Sequence, residues 1–257
     1  MVGALHGRPS GPARPPARTS HAGNPIELLP AGLYPERMAS LLSVNLGALR
    51  PAESDNGVSA IDKRPVERAV MVRDPGPRGI GEPGLIGDSI GDTPHHGGHD
   101  QAVYAYARED LDAWQEDLGV ELDPGVFGEN LTTSGLDVTG ARVGERWRIG
   151  DQVLLQVTLP RIPCRTFAGW MRRHGWVKTF TLRGQPGAYL RVVEPGWVRA
   201  GDPIVVEHRP GHDVTIGLVF RALTTEPELL PRLLEADELP DKAKDRARRR
   251  LTFDVLS

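Results

Sequence analysis

The chain has 257 residues with 31 Lys or Arg, 34 Asp or Glu and a formal net charge of −3 at pH 7, which gives no general reason to expect nucleic acid or a membrane as a partner. Its single cysteine excludes an internal disulfide framework and suits a reducing compartment, so we expect a cytoplasmic protein. No apolar run approaches the ~20 residues of a membrane span, and no apolar segment follows the N-terminal arginines as a secretory signal requires.

The first 37 residues are rich in Pro, Ala, Gly, Arg and Ser and lack a sustained apolar period. Such a composition cannot bury enough apolar surface to fold, so we predict that residues 1–37 are a disordered extension. An alternative is that translation begins at Met38.

The remaining chain is predicted to have a β-rich body and a helical tail. Apolar alternation predicts strands at 41–46, 58–61, 66–72, 101–106, 152–159, 190–193 and 204–206. Helical periodicity predicts helices at 109–118, 166–174, 214–223 and 226–236. Residues 242–250 carry six basic residues, for which we favour a solvated helix face over an anion-binding or partner-binding surface.

Cys164 lies between a predicted strand end and a predicted helix start. Pro160 and Pro163 fix the backbone before it, and Arg161 and Arg165 flank it. Backbone N–H groups and these two cations are expected to favour the thiolate, which is a nucleophile or a ligand for a soft metal. An inert buried cysteine is the alternative.

Three histidines fall within five residues, namely His95, His96 and His99, and Asp100 follows them. Imidazole and carboxylate groups are common metal ligands, so a zinc site made by His96, His99 and Asp100 is one interpretation. His95 and His96 are adjacent, however, and neighbours on a strand point to opposite faces. The pair Gly97–Gly98 indicates instead that a ligand or another backbone segment comes close, and we predict a site histidine here.

Two further segments place charged groups where a ligand could use them. Glu129 and Asn130 lie between apolar residues and need partners if they are buried. They are either a polar turn held by its own backbone or a carboxylate and an amide directed into a pocket. Lys63 and Arg64 form a cation pair that suits a phosphate-bearing ligand or, equally, a surface position.

Several of these segments belong to a series of five short blocks. In chain order the blocks are Ala60–Val66, Leu85–Asp88, His96–Tyr104, Phe127–Leu131 and Pro160–Cys164. The series resembles the MOSC domain family, named for the C-terminal domain of molybdenum cofactor sulfurases, and within it the stand-alone YiiM-like subgroup. The resemblance runs from about Leu41 to His208, with a weaker helical similarity beyond.

The resemblance implies a fold and a domain organisation. The expected fold is mainly β, a MOSC-type β-barrel with a few peripheral helices and a helical C-terminal extension. The expected boundaries are a disordered extension at 1–37, the MOSC β-barrel domain at 38–210 and the helical extension at 211–257.

The resemblance also implies a molybdenum cofactor, in which a pterin dithiolene holds the metal and a protein cysteine supplies another sulfur. Cys164 matches this cysteine and is the predicted molybdenum ligand; pyridoxal phosphate is not expected. Relatives reduce N-hydroxylated compounds such as hydroxylaminopurines and amidoximes. We therefore expect a molybdenum-dependent oxidoreductase that detoxifies N-hydroxylated bases or related N-oxygenated compounds.

The resemblance also implies roles for individual residues, according to their positions in the five blocks. Glu129 is the candidate proton donor, and Lys63 and Arg161 are candidates to hold the pterin phosphate. The predicted catalytic residues are Cys164, Glu129 and His96, and the predicted cofactor-binding residues are Lys63, Gly97, Gly98, Asp100, Asn130 and Arg161.

The expected partners are an external electron-transfer reductase and a small N-oxygenated substrate, with no nucleic-acid polymer and no membrane. A homodimer stays an open alternative. Two other functions remain open: a non-catalytic carrier of the cofactor, or of persulfide sulfur on Cys164, and a zinc hydrolase that uses His96, His99 and Asp100.

Overall fold

The computed structural model describes residues 38–256 apart from residues 53, 55, 56, 80, 81 and 95. The chain divides into two units, Met1–Glu36 and Arg37–Ser257, and the described residues all belong to the second. The prediction for residues 1–37 therefore lies outside the described residues, and the boundary at residue 210 stays a prediction.

The second unit combines strands and helices. The strands of the described residues are β1 (Ser40–Gly47), β2 (Arg50–Pro51), β3 (Val58–Ser59), β4 (Lys63–Pro65), β5 (Val70–Val72), β6 (Val103–Ala107), β7 (Leu131–Ser134), β8 (Arg146–Ile149), β9 (Val153–Pro160), β10 (Ala188–Glu194), β11 (Gly196–Val198) and β12 (Ile204–His208). The helices are α1 (Arg108–Leu118), α2 (Arg165–Met171), α3 (Trp176–Arg183), α4 (Ile216–Thr224) and α5 (Asp241–Leu256), with 3-10 helices at His99–Gln101 and Pro227–Glu235.

Eight strands form one mixed sheet in the order β12-β8-β9-β10-β6-β7-β1-β4. β6 and β7 pair in parallel, with Ala105 opposite Leu131, and the other neighbours pair antiparallel. Parallel neighbours need a crossover connection, and α1 lies in the segment that links β6 to β7. The described residues also form two separate two-stranded sheets, β11-β5 and β2-β3.

The expected closed β-barrel is not confirmed: the described residues form a substantial mixed sheet accompanied by helices. The start of β1 does reach the opposite end of the sheet, since Ser40 bridges Pro203 and the backbone N–H of Ile204 donates to the Ala39 carbonyl at 2.8 Å. The last residues of β1 pair instead with β4, where Gly47 lies opposite Lys63. β4 therefore occupies the part of the β1 edge that a continuous closing ladder would need.

Two clusters of buried side chains hold the unit together. Aliphatic residues of the sheet, such as Leu41 and Leu155, pack with residues of α4 such as Ile216 and Val219. Aromatic residues from α1, α2, α3 and the segment before β7 form the second cluster, which includes Trp114, Phe127, Phe167, Trp176 and Phe180. Removing both sets from water supplies the main driving force for folding.

Most predicted elements are confirmed in position. The strand predicted at 66–72 is shorter, however, and only Val70–Val72 pairs, with β11. The segment predicted as a helix at 226–236 is a 3-10 helix with Pro231 inside it, because proline lacks the N–H that an α-helical bond requires. None of the helices in the described part of the chain combines the length and apolarity needed to cross a bilayer.

Candidate functional site

Cys164 lies at the junction of two adjoining cavities. The inner cavity is lined by residues of the Ala60–Asp92 segment, by Asn130 and by Arg161. The outer cavity has a volume of about 770 Å³ and extends towards Lys242 and Arg246 of α5. Residues that line both cavities include His96, Gly97, Gln101, Cys164, Thr166 and Tyr189.

The local sequence positions Cys164 as predicted, between the end of β9 at Pro160 and the start of α2 at Arg165. Its backbone is extended, and its carbonyl accepts a hydrogen bond from the Ala168 N–H at 3.0 Å, which closes the first turn of α2. The residue is half-buried and its thiol forms no disulfide. A half-buried thiol that borders two cavities is placed to meet a ligand.

Lys63 and Asn130 meet at a buried carboxylate, Asp88, on the wall of the inner cavity. The Lys63 Nζ lies 2.6 Å from both Asp88 oxygens, and the side chains of this pair are 9% and 6% exposed. The Asn130 Nδ2 donates to Asp88 at 2.8 Å, and the Gly47 N–H donates at 2.8 Å. Lys63 is thus neutralised by the protein itself, which leaves less of its charge for a ligand phosphate than predicted.

Arg161 is a buried cation on the same wall. Its side chain lies over the ring of Phe167, 4.2 Å from the centroid, and near the ring of Tyr104. Its Nη1 donates to the Phe127 carbonyl. The residue is 8% exposed, and it forms no ion pair with any carboxylate of the described residues. Since a buried charge is costly unless it is compensated, Arg161 favours an anion in the inner cavity.

Glu129, the predicted proton donor, lines neither cavity. Its carboxylate is fully buried and accepts hydrogen bonds from the Gly125 N–H at 2.6 Å, the Phe127 N–H at 3.0 Å and the Thr132 hydroxyl at 3.0 Å. Burial raises the pKa of this carboxyl, and the hydrogen bonds oppose that shift. The geometry favours a positioning role, in which Glu129 fixes the 125–129 loop beside Arg161.

The described histidines of this segment differ in the cavities that they line. His96 lines both, whereas His99 lines the outer cavity and its Nδ1 lies 2.7 Å from Asp74. Asp100 pairs with Arg191, with 3.0 Å between its Oδ1 and the Arg191 Nε. His95 lies outside the described residues.

The glycine pair in this segment has a structural reason. Gly97 and Gly98 have φ angles of 78° and 79°, in the left-handed region that favours glycine. A Cβ on Gly98 would lie 2.7 Å from the backbone nitrogen of Arg78. The expected close approach at Gly98 is therefore made by another backbone segment, while Gly97 also lines both cavities.

A zinc site is not supported in the part of the chain that the structure describes, where no three His, Cys, Asp or Glu side chains converge in a metal-binding arrangement. His99 is turned to Asp74 and Asp100 to Arg191. The zinc-hydrolase alternative thus lacks its ligand set among these residues.

The sequence reasoning missed several lining residues. Asp88 was part of a recognised block, yet its role as the counter-ion of Lys63 depends on a contact across 25 positions in the chain. Tyr104 and Tyr189 border the inner cavity. Lys242 and Arg246 belong to the basic run that we interpreted as a solvated face, although both line the outer cavity. Their spacing of four on a helix was the available signal.

Comparisons with known proteins indicate the family to which this chain belongs. The model of the family described as MOSC domain matches residues 92–205. The chain is 36% identical over 168 residues to the uncharacterized protein YflK of Bacillus subtilis, a match that spans 63% of this chain and 70% of YflK. It is 32% identical over 161 residues to protein YiiM of Escherichia coli, which spans 62% of this chain and 67% of YiiM.

Two further matches differ in what they cover. A protein named reductase from Gibberella moniliformis is 30% identical over 174 residues, or 64% of this chain, but only 31% of that longer protein is matched. The crystal structure of YiiM from Geobacillus stearothermophilus superposes with a TM-score of 0.67 at 25% identity, covering 83% of this chain and 99% of that one. These matches show that the chain belongs to the MOSC domain family, as a YiiM-like member.

Proposed function

We propose that this protein binds a molybdenum cofactor and reduces N-hydroxylated bases or related N-oxygenated compounds with electrons from an external reductase. MOSC domains are associated with molybdenum cofactor binding, and one relative is named a reductase. The observation that carries the proposal is the inner cavity, which joins the Cys164 thiol to a buried arginine that lacks a carboxylate partner among the described residues.

The residues of the cavity fit such a cofactor. A molybdenum pterin offers a soft metal, which suits the Cys164 sulfur, and an anionic phosphate, which suits Arg161. Lys63 is a weaker candidate for the phosphate because Asp88 already neutralises it. Asn130 is engaged with Asp88 and the Tyr104 N–H, so it positions Lys63 and the cavity wall more than it offers free donors.

The reaction requires two electrons and two protons: R–NH–OH + 2e⁻ + 2H⁺ gives R–NH₂ + H₂O, with cleavage of the N–O bond. When bound, the cofactor supplies the two-electron reduction. The electrons come from a separate reductase, because one cysteine is too few for an all-cysteine iron–sulfur cluster. His96 borders both cavities and is therefore placed to hold or move a proton, whereas Glu129 faces its own loop.

The test is the molybdenum and pterin content of the full chain produced in a cofactor-making host. We expect near-stoichiometric molybdenum and pterin in the wild type, loss of molybdenum in Cys164→Ser, and loss of both in Arg161→Met. Arg199→Met is the matched control, since Arg199 lines neither cavity and its side chain is 73% exposed. Wild-type protein without molybdenum or pterin, or with zinc in place of both, would contradict the proposal.

A turnover assay distinguishes the proposed reductase from a non-catalytic carrier. The loaded protein is supplied with a chemical reductant and a hydroxylaminopurine, and formation of the parent amine is followed. Bound cofactor without any amine formation would favour the non-catalytic carrier of cofactor or sulfur.

A further inference from the structure

The outer cavity carries a surplus of positive charge that the proposed chemistry does not use. Four cations line it: Arg78, Arg165, Lys242 and Arg246. Its carboxylates are Asp92 and Asp100, and Asp100 is already paired with Arg191. The lining is therefore net positive in a chain whose overall charge is −3.

Two of these cations come from one face of one helix. Lys242 and Arg246 are four residues apart on α5, so their side chains project from the same side. In the described part of the chain, neither side chain forms a hydrogen bond or an ion pair, whereas Arg248 on the same helix bonds to Asp245 at 3.0 Å. Arg248 thus has an acidic partner on its own helix, whereas neither Lys242 nor Arg246 is bonded to a carboxylate of the described residues.

Apolar and aromatic groups line the outer cavity together with the cations. Ile162, Pro163 and Leu223 lie along the wall, and Tyr189 borders both cavities. A cavity of about 770 Å³ is within the range of ligand pockets, about 300–1,000 Å³. The lining thus offers both an apolar and aromatic surface for a base and cations for an anionic group.

We propose that the outer cavity binds the phosphate group of its substrate, so that the substrate class is an N-hydroxylated nucleoside monophosphate and not the free base alone. Lys242 and Arg246 contact the phosphate, and Arg78 adds to the positive field. This inference rests on the proposed function for the chemistry of the substrate, but the phosphate site itself can be tested without turnover.

The first experiment compares binding of adenosine 5′-monophosphate and adenosine to the full-length, cofactor-loaded protein by calorimetry. Hydrogen bonds to charged groups are worth enough that we expect the monophosphate to bind about tenfold or more tightly than the nucleoside. This preference should shrink as the ionic strength is raised, since exposed charges are screened. Equal affinity for the two compounds would overturn the proposal.

Two double variants of α5 test where the phosphate binds. In Lys242→Met/Arg246→Met the preference for the monophosphate should fall to less than about threefold, whereas Lys244→Met/Arg249→Met should retain it. The control pair removes the same charge from the same helix, but neither Lys244 nor Arg249 lines the cavity. If Lys242→Met/Arg246→Met keeps the preference for the monophosphate, the assignment of the phosphate to these two cations would be overturned.

The proposed cofactor also carries a phosphate, so the test must distinguish binding of the substrate phosphate from binding of the cofactor phosphate. Molybdenum and pterin content is measured on the same preparations and should be unchanged in Lys242→Met/Arg246→Met. Loss of pterin from this variant would assign the cations to the cofactor phosphate and overturn the substrate proposal. If the wild type holds no molybdenum yet keeps a preference that the variant loses, the phosphate site stands while the reductase proposal fails.

Discussion

The inner and outer cavities share Cys164 but differ in the burial and the pairing of their charged side chains. In the inner cavity the ionic groups are buried and held by the protein: Lys63 and Asp88 neutralise each other, and Arg161 is fixed over an aromatic ring. In the outer cavity Lys242 and Arg246 are exposed and carry no partner among the described residues. This difference suits the two proposals, with a preorganised wall where we propose the cofactor and exposed cations where we propose the substrate phosphate.

If this comparison is correct, the effect of removing a charge on stability should follow its burial. Removing a buried charge leaves its buried partner uncompensated, whereas removing an exposed charge costs little because its surroundings are already solvated. Four variants test this relation, in order of decreasing expected effect on stability.

The largest effect is expected for Asp88→Asn, which leaves the Lys63 ammonium buried without a counter-charge. Breaking a buried pair in this way costs about 3–5 kcal/mol of unfolding free energy. Urea denaturation at neutral pH measures the change, and Lys63→Met combined with Asp88→Asn should recover part of it. A loss below about 1 kcal/mol for Asp88→Asn would show that the inner pair is not desolvated as the geometry indicates.

Glu129→Gln should destabilise the protein by about 1–3 kcal/mol, because an amide group can no longer accept from all three donors of the 125–129 loop. We expect the remaining folded protein to keep most of its turnover, since the carboxylate faces its own loop. A large fall in turnover with unchanged stability would instead restore Glu129 as the proton donor.

Asp110, at the start of α1, is intermediate in burial. Desolvation, together with Asp137 and Glu109, raises its pKa from 3.8 to about 6. The native state therefore holds this proton more tightly than the unfolded chain does, so its contribution to stability falls as the pH rises from about 4 to about 6. Asp110→Asn should remove this fall and stabilise the protein at pH 7 by about 1–2 kcal/mol. Denaturation of the wild type and of Asp110→Asn at pH 4 and pH 7 measures how the stability of each protein changes with pH. An equal change in the two proteins would argue against a raised pKa of Asp110.

The smallest effect on stability is expected for Lys242→Met/Arg246→Met, within about 0.5 kcal/mol, because both side chains are exposed and make no contact that the fold requires. Thermal unfolding should therefore be nearly unchanged, while the preference for the monophosphate over the nucleoside falls to less than about threefold. A clear drop in the unfolding temperature would mean that these cations serve the packing of α5 and not a ligand.

The fold was partly predictable because local patterns are strong in this chain. Alternation predicted β1 and β9, and the spacing of Leu111 and Trp114 predicted α1, whose buried face contains both residues. The pairing order was not predictable, since the parallel contact of β6 with β7 and the interruption of the β1 edge by β4 depend on residues far apart in the sequence. The closed barrel was expected from resemblance, and no local signal could have tested it.

The sequence alone determined which residue types were available to a site: one thiol between a strand and a helix, a histidine next to two glycines, and a basic C-terminal run. These are local properties, set by side-chain chemistry and by short-range backbone preferences. Only the tertiary structure decided how each charge is used. Burial beside Asp88 neutralises Lys63, burial without a carboxylate leaves Arg161 in need of an anion, and the packing of α5 brings Lys242 and Arg246 to the cavity. Electrostatic roles depend on desolvation and on partners distant in the chain, and neither is encoded in the spacing of a motif.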